Sequence, residues 1–163
     1  MSDPLSSFLS TTTDSGIPAG FKQLRITDGY LARLGPLYAK RIAEGCALIG
    51  LRVSEDHLNV SRITHGGMLT TLADSALGIN ISLATGRRTP MVTVSLTADF
   101  LSGAREGEWL EAHVTITRKG RRLVYANCDL RVGERQVLRS SGVFALMERP
   151  VSMQAGELPL QDG

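Results

Sequence analysis

In the C-terminal half of the chain, apolar and polar residues alternate with a period of two. Val92, Val94, Leu96, Ala98 and Phe100 stand against Thr93, Ser95, Thr97 and Asp99, and the alternation returns in Ala112, Val114 and Ile116. It continues through Val124, Ala126, Cys128 and Leu130 between Arg122 and Val132, and a further apolar stretch runs from Val137 to Met147. Successive side chains on a strand point to opposite faces, so these stretches predict four half-buried strands. Gly103, Gly107, Gly120 and Gly133 fall between them as turn residues.

Upstream the period changes. From Gly66 to about Thr85, Leu69, Leu72, Ala73, Ala76 and Leu77 fall on one helical stripe, while Thr70, Thr71, Asp74, Gly78 and Ile81 share another. Small or apolar residues flank the helix on nearly all sides, which predicts that most of it is buried. Before it, Leu37–Ile42 and Cys46–Val53 read as two strands joined by Glu44-Gly45, and Asp28 opens a short helix that Gly35-Pro36 stops near Leu34. Two short strands, a long helix and four longer strands predict an α+β fold, an antiparallel sheet wrapped around the long central helix. Residues 1–20 and 150–163, rich in small and polar residues, read as loose tails around one domain at 21–149.

Composition narrows the function. A chain of 163 residues with 42% apolar and 21% charged residues fits a single globular domain. A net charge of +2 is too small to imply a nucleic-acid partner. Cys46 and Cys128 lie far apart in apolar runs, which argues for buried thiols over a disulfide framework or metal site. The first ten residues lack a basic start and an apolar run, so a cytoplasmic location is expected. Asp74 and Asn80 interrupt the apolar stretch at 66–84, which favours a buried helix over a membrane span.

The chemistry is concentrated in Asn59-Val-Ser-Arg-Ile-Thr-His65-Gly66-Gly67 and in Asp74, seven positions further on. Unpaired backbone N–H groups and the positive dipole end at a helix start suit a negatively charged oxygen, and glycine lets it approach. An acid among small apolar residues then points to chemistry on a carbonyl.

The set of Asn59, five residues, His65-Gly66-Gly67, six residues and Asp74, with Thr93 on the following strand, resembles the hotdog-fold acyl-CoA thioesterases of the phenylacetate-degradation (PaaI) type. A human branch of the same thioesterases carries a similar pattern, and the likeness runs from about Pro36 to Met147. The resemblance implies hydrolysis of a coenzyme A thioester by a homodimer with two antiparallel central helices, often paired into a tetramer. It implies Asp74 as general base or nucleophile and the Gly66 backbone N–H as holder of the thioester oxygen. Asn59, His65 and Thr93 would position water, substrate or the carboxylate. No metal or other cofactor is called for, because a thioester is already an activated carbonyl.

Geometry adds a composite site. Gly66 and Asp74 are eight positions apart on one helix, so their backbones are separated by about 12 Å, which is long for one carbonyl. An antiparallel helix from a second copy supplies the missing partner more easily. For the coenzyme A phosphates, Arg118, Lys119, Arg121 and Arg122 around Gly120 form the first candidate cluster and Arg87-Arg88 the second, with Gly67 as a further substrate contact. Each has a plainer reading: a solvated turn for the cations, a turn cap for Asn59, a helix cap for His65 and an ordinary strand residue for Thr93. Two other functions share the same features, a non-catalytic acyl-CoA binding module and an enoyl-thioester hydratase or dehydratase.

Overall fold

The computed structural model describes residue 5, residues 16–86 and residues 90–147. In chain order the elements are β1 (Lys22–Gln23), α1 (Gly29–Ala32), β2 (Leu37–Ala43), β3 (Cys46–Arg52), α2 (Gly66–Thr85), β4 (Met91–Phe100), β5 (Trp109–Lys119), β6 (Leu123–Val132) and β7 (Arg135–Leu146). The strands form one antiparallel sheet in the order β1-β2-β3-β5-β6-β7-β4, with α2 packed across one face. This is the α+β arrangement expected from the sequence. The two-residue β1 carries no readable alternation and was not foreseen. Leu5, assigned by sequence to the loose N-terminal tail, is buried in the core; the rest of residues 1–15 and all of 150–163 lie outside the described residues.

The limits of α2 follow from its ends. His65 caps the first turn, and Gly86 closes the last with a left-handed φ of 62°. Leu72, Ala73, Ala76, Leu77 and Ile81 are fully buried against Ile49, Leu51, Leu110 and Leu130. Thr70, Thr71, Asp74, Ser75 and Gly78 are only half-buried, so one side of α2 stays open rather than being enclosed all round. Ile81 departs from its expected stripe: the border of the buried face runs through that stripe, and its C-terminal end lies under the sheet. Among the described residues, no helix is long and apolar enough to cross a membrane.

Asn80 explains a polar residue in this core. Ala47 lies outside the β3–β5 ladder, whose first pair is Ile49 with Ala112, so its peptide group needs another partner. Asn80 supplies one: its Oδ1 accepts from the Ala47 N–H at 2.9 Å and its Nδ2 donates to the Ala47 carbonyl at 3.0 Å. The side chain pins α2 to the start of β3.

The clean alternation expected in β4 is broken. Thr93 pairs with Phe144 and Ser95 with the adjacent Val143, which leaves Val94 as an extra residue in a bulge. Before the bulge Thr93 points to α2; after it Leu96 and Ala98 do, and Phe100 reaches the start of the helix. Among the described residues β4 is also an edge strand, and Val92 and Val94 are 49% and 60% exposed.

Candidate active site

The loop before α2 is held by its own backbone and by a buried histidine. Asn59 Oδ1 accepts from the N–H groups of Ser61 (2.9 Å) and Ile63 (3.4 Å), the local turn that its residue type favours. The turn puts Arg62 at φ 59°, and its guanidinium spans Glu55 at 2.8 Å and Glu106 at 3.0 Å. Thr64 is buried and exchanges two hydrogen bonds with Ala104. Ala104 sits in a segment tied down by Glu108, which accepts from Arg135 at 2.7 Å and from the Arg105 N–H. Burial alone would raise the Glu108 carboxyl, but these donors bring it below its ordinary value.

His57 had no role in the sequence reading. It is buried, with Nδ1 accepting from the Ser54 N–H at 2.9 Å and Nε2 lying 2.6 Å from the Leu34 carbonyl. A backbone N–H only donates and a carbonyl only accepts, so the ring is neutral with its proton on Nε2. Its own carbonyl accepts from the His65 N–H at 2.8 Å. One residue, through its ring and its own carbonyl, thus ties the segment after α1 to the residue that caps α2, a link between backbone groups that no sequence signal reveals.

At the helix start, His65 Nδ1 accepts from the Gly67 N–H at 2.9 Å, and the Leu69 N–H is taken by the His65 carbonyl. The Gly67 amide, expected to face substrate, is therefore engaged. Among the described residues no acceptor meets the N–H of Gly66 or of Met68, so two amides are left open at the positive end of a 20-residue helix, Gly66 at its first position and Met68 on a buried residue. A Cβ on Gly66 would approach Phe100 Cε1 to 3.1 Å, so the glycine lies close beneath that ring.

Two turns along α2, Asp74 Oδ1 accepts from Thr93 Oγ1 at 2.8 Å. The bulge at Val94 makes this bond possible by turning Thr93 to the helix side. The structure thus brings Asp74 and Thr93 together, and separately His65, Gly66 and Gly67. It leaves the two groups on different turns of α2 and keeps the Asn59 oxygen within its own loop.

The basic hairpin lies elsewhere. Lys119 Nζ donates to the Ala84 carbonyl at 2.8 Å, so this cation caps the C-terminal end of α2 instead of standing free. Arg118, Arg121 and Arg122 flank it at the exposed β5–β6 turn. Within one copy this end is about 27 Å along α2 from Gly66. Arg87 and Arg88 lie outside the described residues.

A cleft of about 560 Å³ opens beside the start of α2. The buried Leu34 and Met68 and the partly buried Leu58 form its floor. Tyr30, Arg33 and Asp56 stand on its exposed rim with His65, and the Tyr30 hydroxyl lies 3.5 Å from Thr71 Oγ1. No group of three or more potential metal ligands occurs among the described residues.

The sequence pattern of the thioesterase superfamily matches residues 62–138. The Pseudomonas aeruginosa protein described as "Putative esterase PA0474" is 40% identical over 130 residues, which cover 80% of this chain and 97% of that protein. Human acyl-coenzyme A thioesterase 13 is 29% identical over 97 residues, 60% of this chain and 69% of the human one. Among solved structures, a mutant of phenylacetic acid degradation protein PaaI from Thermus thermophilus is similar with a TM-score of 0.62 and 28% identity, covering 72% of this chain and 97% of that one.

Proposed function

The chain belongs to the thioesterase superfamily and is a thioesterase of the hotdog fold, and from that premise we propose that it hydrolyses an acyl-coenzyme A thioester with Asp74 as the reacting acid. The observation that carries the assignment is the Thr93–Asp74 hydrogen bond of 2.8 Å on a half-open helix face. A carboxylate held in one orientation by a neutral donor is ready either to take a proton from water or to attack the carbonyl carbon itself. In the first route water's oxygen bonds to the carbon and the C–S bond breaks, releasing acid and thiol. In the second a mixed anhydride forms with loss of the thiolate, and water then cleaves it. Both develop negative charge on the thioester oxygen, and the Gly66 N–H, free of any acceptor among the described residues and with no side chain to block approach, is the donor for it in this reading.

The site is completed by a second copy in this reading. Gly66 and Asp74 are about 12 Å apart along their own helix. The half-exposed stripe of Gly67, Thr71, Asp74, Ser75 and Gly78 is small enough for another helix to approach, and a Cβ at Gly78 would meet nothing within 4 Å. The β4 edge beside it, which pairs with no other strand than β7 among the described residues, offers backbone to a partner strand. In an antiparallel pair the Gly66 amide of one copy faces Asp74 of the other, and the basic β5–β6 turn is carried to the same end, where Arg118, Arg121 and Arg122 meet the coenzyme A phosphates.

The test is thiol release from a panel of acyl-CoA substrates. Asp74→Asn is expected to lower kcat by about 10²-fold or more, and turnover equal to wild type removes Asp74 from the mechanism. Mixing Asp74→Asn with Gly66→Pro subunits is expected to restore part of the activity through hybrid pairs; a mixture as inactive as its components rules out the shared site.

A further inference from the structure

The cleft between α1 and the start of α2 takes no part in the steps above, yet it shares Gly67 and Thr71 with the helix face that carries Asp74. Asp74 follows Thr71 by three positions, a rise of about 4.5 Å. The cleft therefore opens within one turn of the reacting carboxylate.

We propose that this cleft is the subsite for the far end of the acyl group, and that Arg33 and Asp56 on its rim select a neutral hydroxyl or amide there; the proposal rests on the thioesterase reading. Leu34, Leu58 and Met68 give an apolar floor for a hydrocarbon body, and about 560 Å³ admits a chain of medium length. The polar rim decides the chemistry. Among the described residues, neither the Arg33 guanidinium nor the Asp56 carboxylate has a hydrogen-bond or ion-pair partner. His57, at the back, is neutral with both nitrogens engaged. One cation and one anion leave the cleft without net charge, which suits neither the phosphates of coenzyme A nor a terminal carboxylate. A hydroxyl or amide both donates and accepts, so it satisfies Asp56 and Arg33 together.

The rim is also built to adjust. α1 buries no residue, begins on Gly29 at φ +74° and is followed by Gly35 at φ +94°, while the buried Leu34, held by His57, anchors its base. Tyr30 and Arg33 can thus settle on a bound chain without disturbing the core.

Calorimetric titration of the folded full chain with thioether analogues separates this subsite from turnover, since S-hexyl-CoA, S-(6-hydroxyhexyl)-CoA and S-(5-carboxypentyl)-CoA cannot be hydrolysed. The hydroxyl compound is expected to bind about tenfold tighter than the hexyl compound, the scale of one or two net hydrogen bonds, and the carboxylate no tighter than the hexyl. Arg33→Met and Asp56→Ala, both at exposed positions, should each bring the hydroxyl preference close to one while thermal unfolding stays within about 2 °C of wild type. Equal binding of the hexyl and hydroxyl compounds, a preference that survives both substitutions, or tightest binding of the carboxylate overturns the proposal. The expected ranking in a protein that fails to hydrolyse hexanoyl-CoA or 6-hydroxyhexanoyl-CoA upholds the subsite and refutes the hydrolase reading alone.

Discussion

Replacing His65 by alanine removes the acceptor for the Gly67 N–H at the first turn of α2. Loss of such a cap costs about 1 kcal/mol. His65 is exposed, so water takes over part of the bond, but Gly66 and Gly67 carry the largest backbone entropy to lose, which makes the first turn prone to fray without its cap. For a chain of this size about 1 kcal/mol lowers Tm by about 2–4 °C. Fraying also misaims the Gly66 amide, and since an oxyanion donor is worth about 10²- to 10³-fold when fully lost, partial loss is expected to reduce kcat about tenfold. Thermal unfolding by circular dichroism and thiol release on one preparation measure both. His65→Asn keeps a capping oxygen but has no ionisable ring, so it is expected to recover Tm and most of kcat. Recovery of Tm without kcat refutes a purely positioning role, and an alanine variant with unchanged Tm and kcat refutes the cap itself.

Asn80→Leu fills the same space but strands the N–H and C=O of Ala47, and urea unfolding should show a loss of about 2–4 kcal/mol. Gly50→Ala places a Cβ 2.2 Å from Trp109 Cζ2, so the indole must leave its contacts with Phe21 and Tyr38; a destabilisation of about 1–3 kcal/mol and a changed tryptophan emission are expected, and an unchanged spectrum contradicts the contact. Burial pushes the Cys128 thiol from 9.0 up to about 12, with Asp129 adding to the rise. A folded value above the unfolded one favours the protonated native state, so this contribution is intact below pH 9 and is lost as pH rises towards 12. Between pH 8 and 10.5 the wild type should lose about 2 kcal/mol more than Cys128→Ala, and parallel stability curves would show that the thiol does not titrate with unfolding.

The parts of the fold legible in the sequence are those fixed by local rules. The buried residues of β6, Val124, Ala126, Cys128 and Leu130, are those its alternation marks, and α2 spans Gly66–Thr85 as read. β4 was misread because a bulge leaves no composition signal: Val94 looks like any strand residue, and only the pairing with β7 shows that the faces exchange there. The same bulge brings Thr93 to Asp74 across 19 positions of sequence. His57 escaped notice because its partners are backbone groups, and Lys119 was grouped with its neighbours because its carbonyl partner lies 35 residues away.

The strand order has a consequence for how the chain is made. Among the described residues β4 pairs only with β7, along a ladder from Met91–Leu146 to Phe100–Leu138, so its partner emerges from the ribosome some forty residues after it. Until then the nascent chain carries an apolar helix with part of its cover missing, and long-range pairing of this kind is slow and exposed to misassembly. A message truncated before β7 would yield a sticky fragment, not a smaller folded protein.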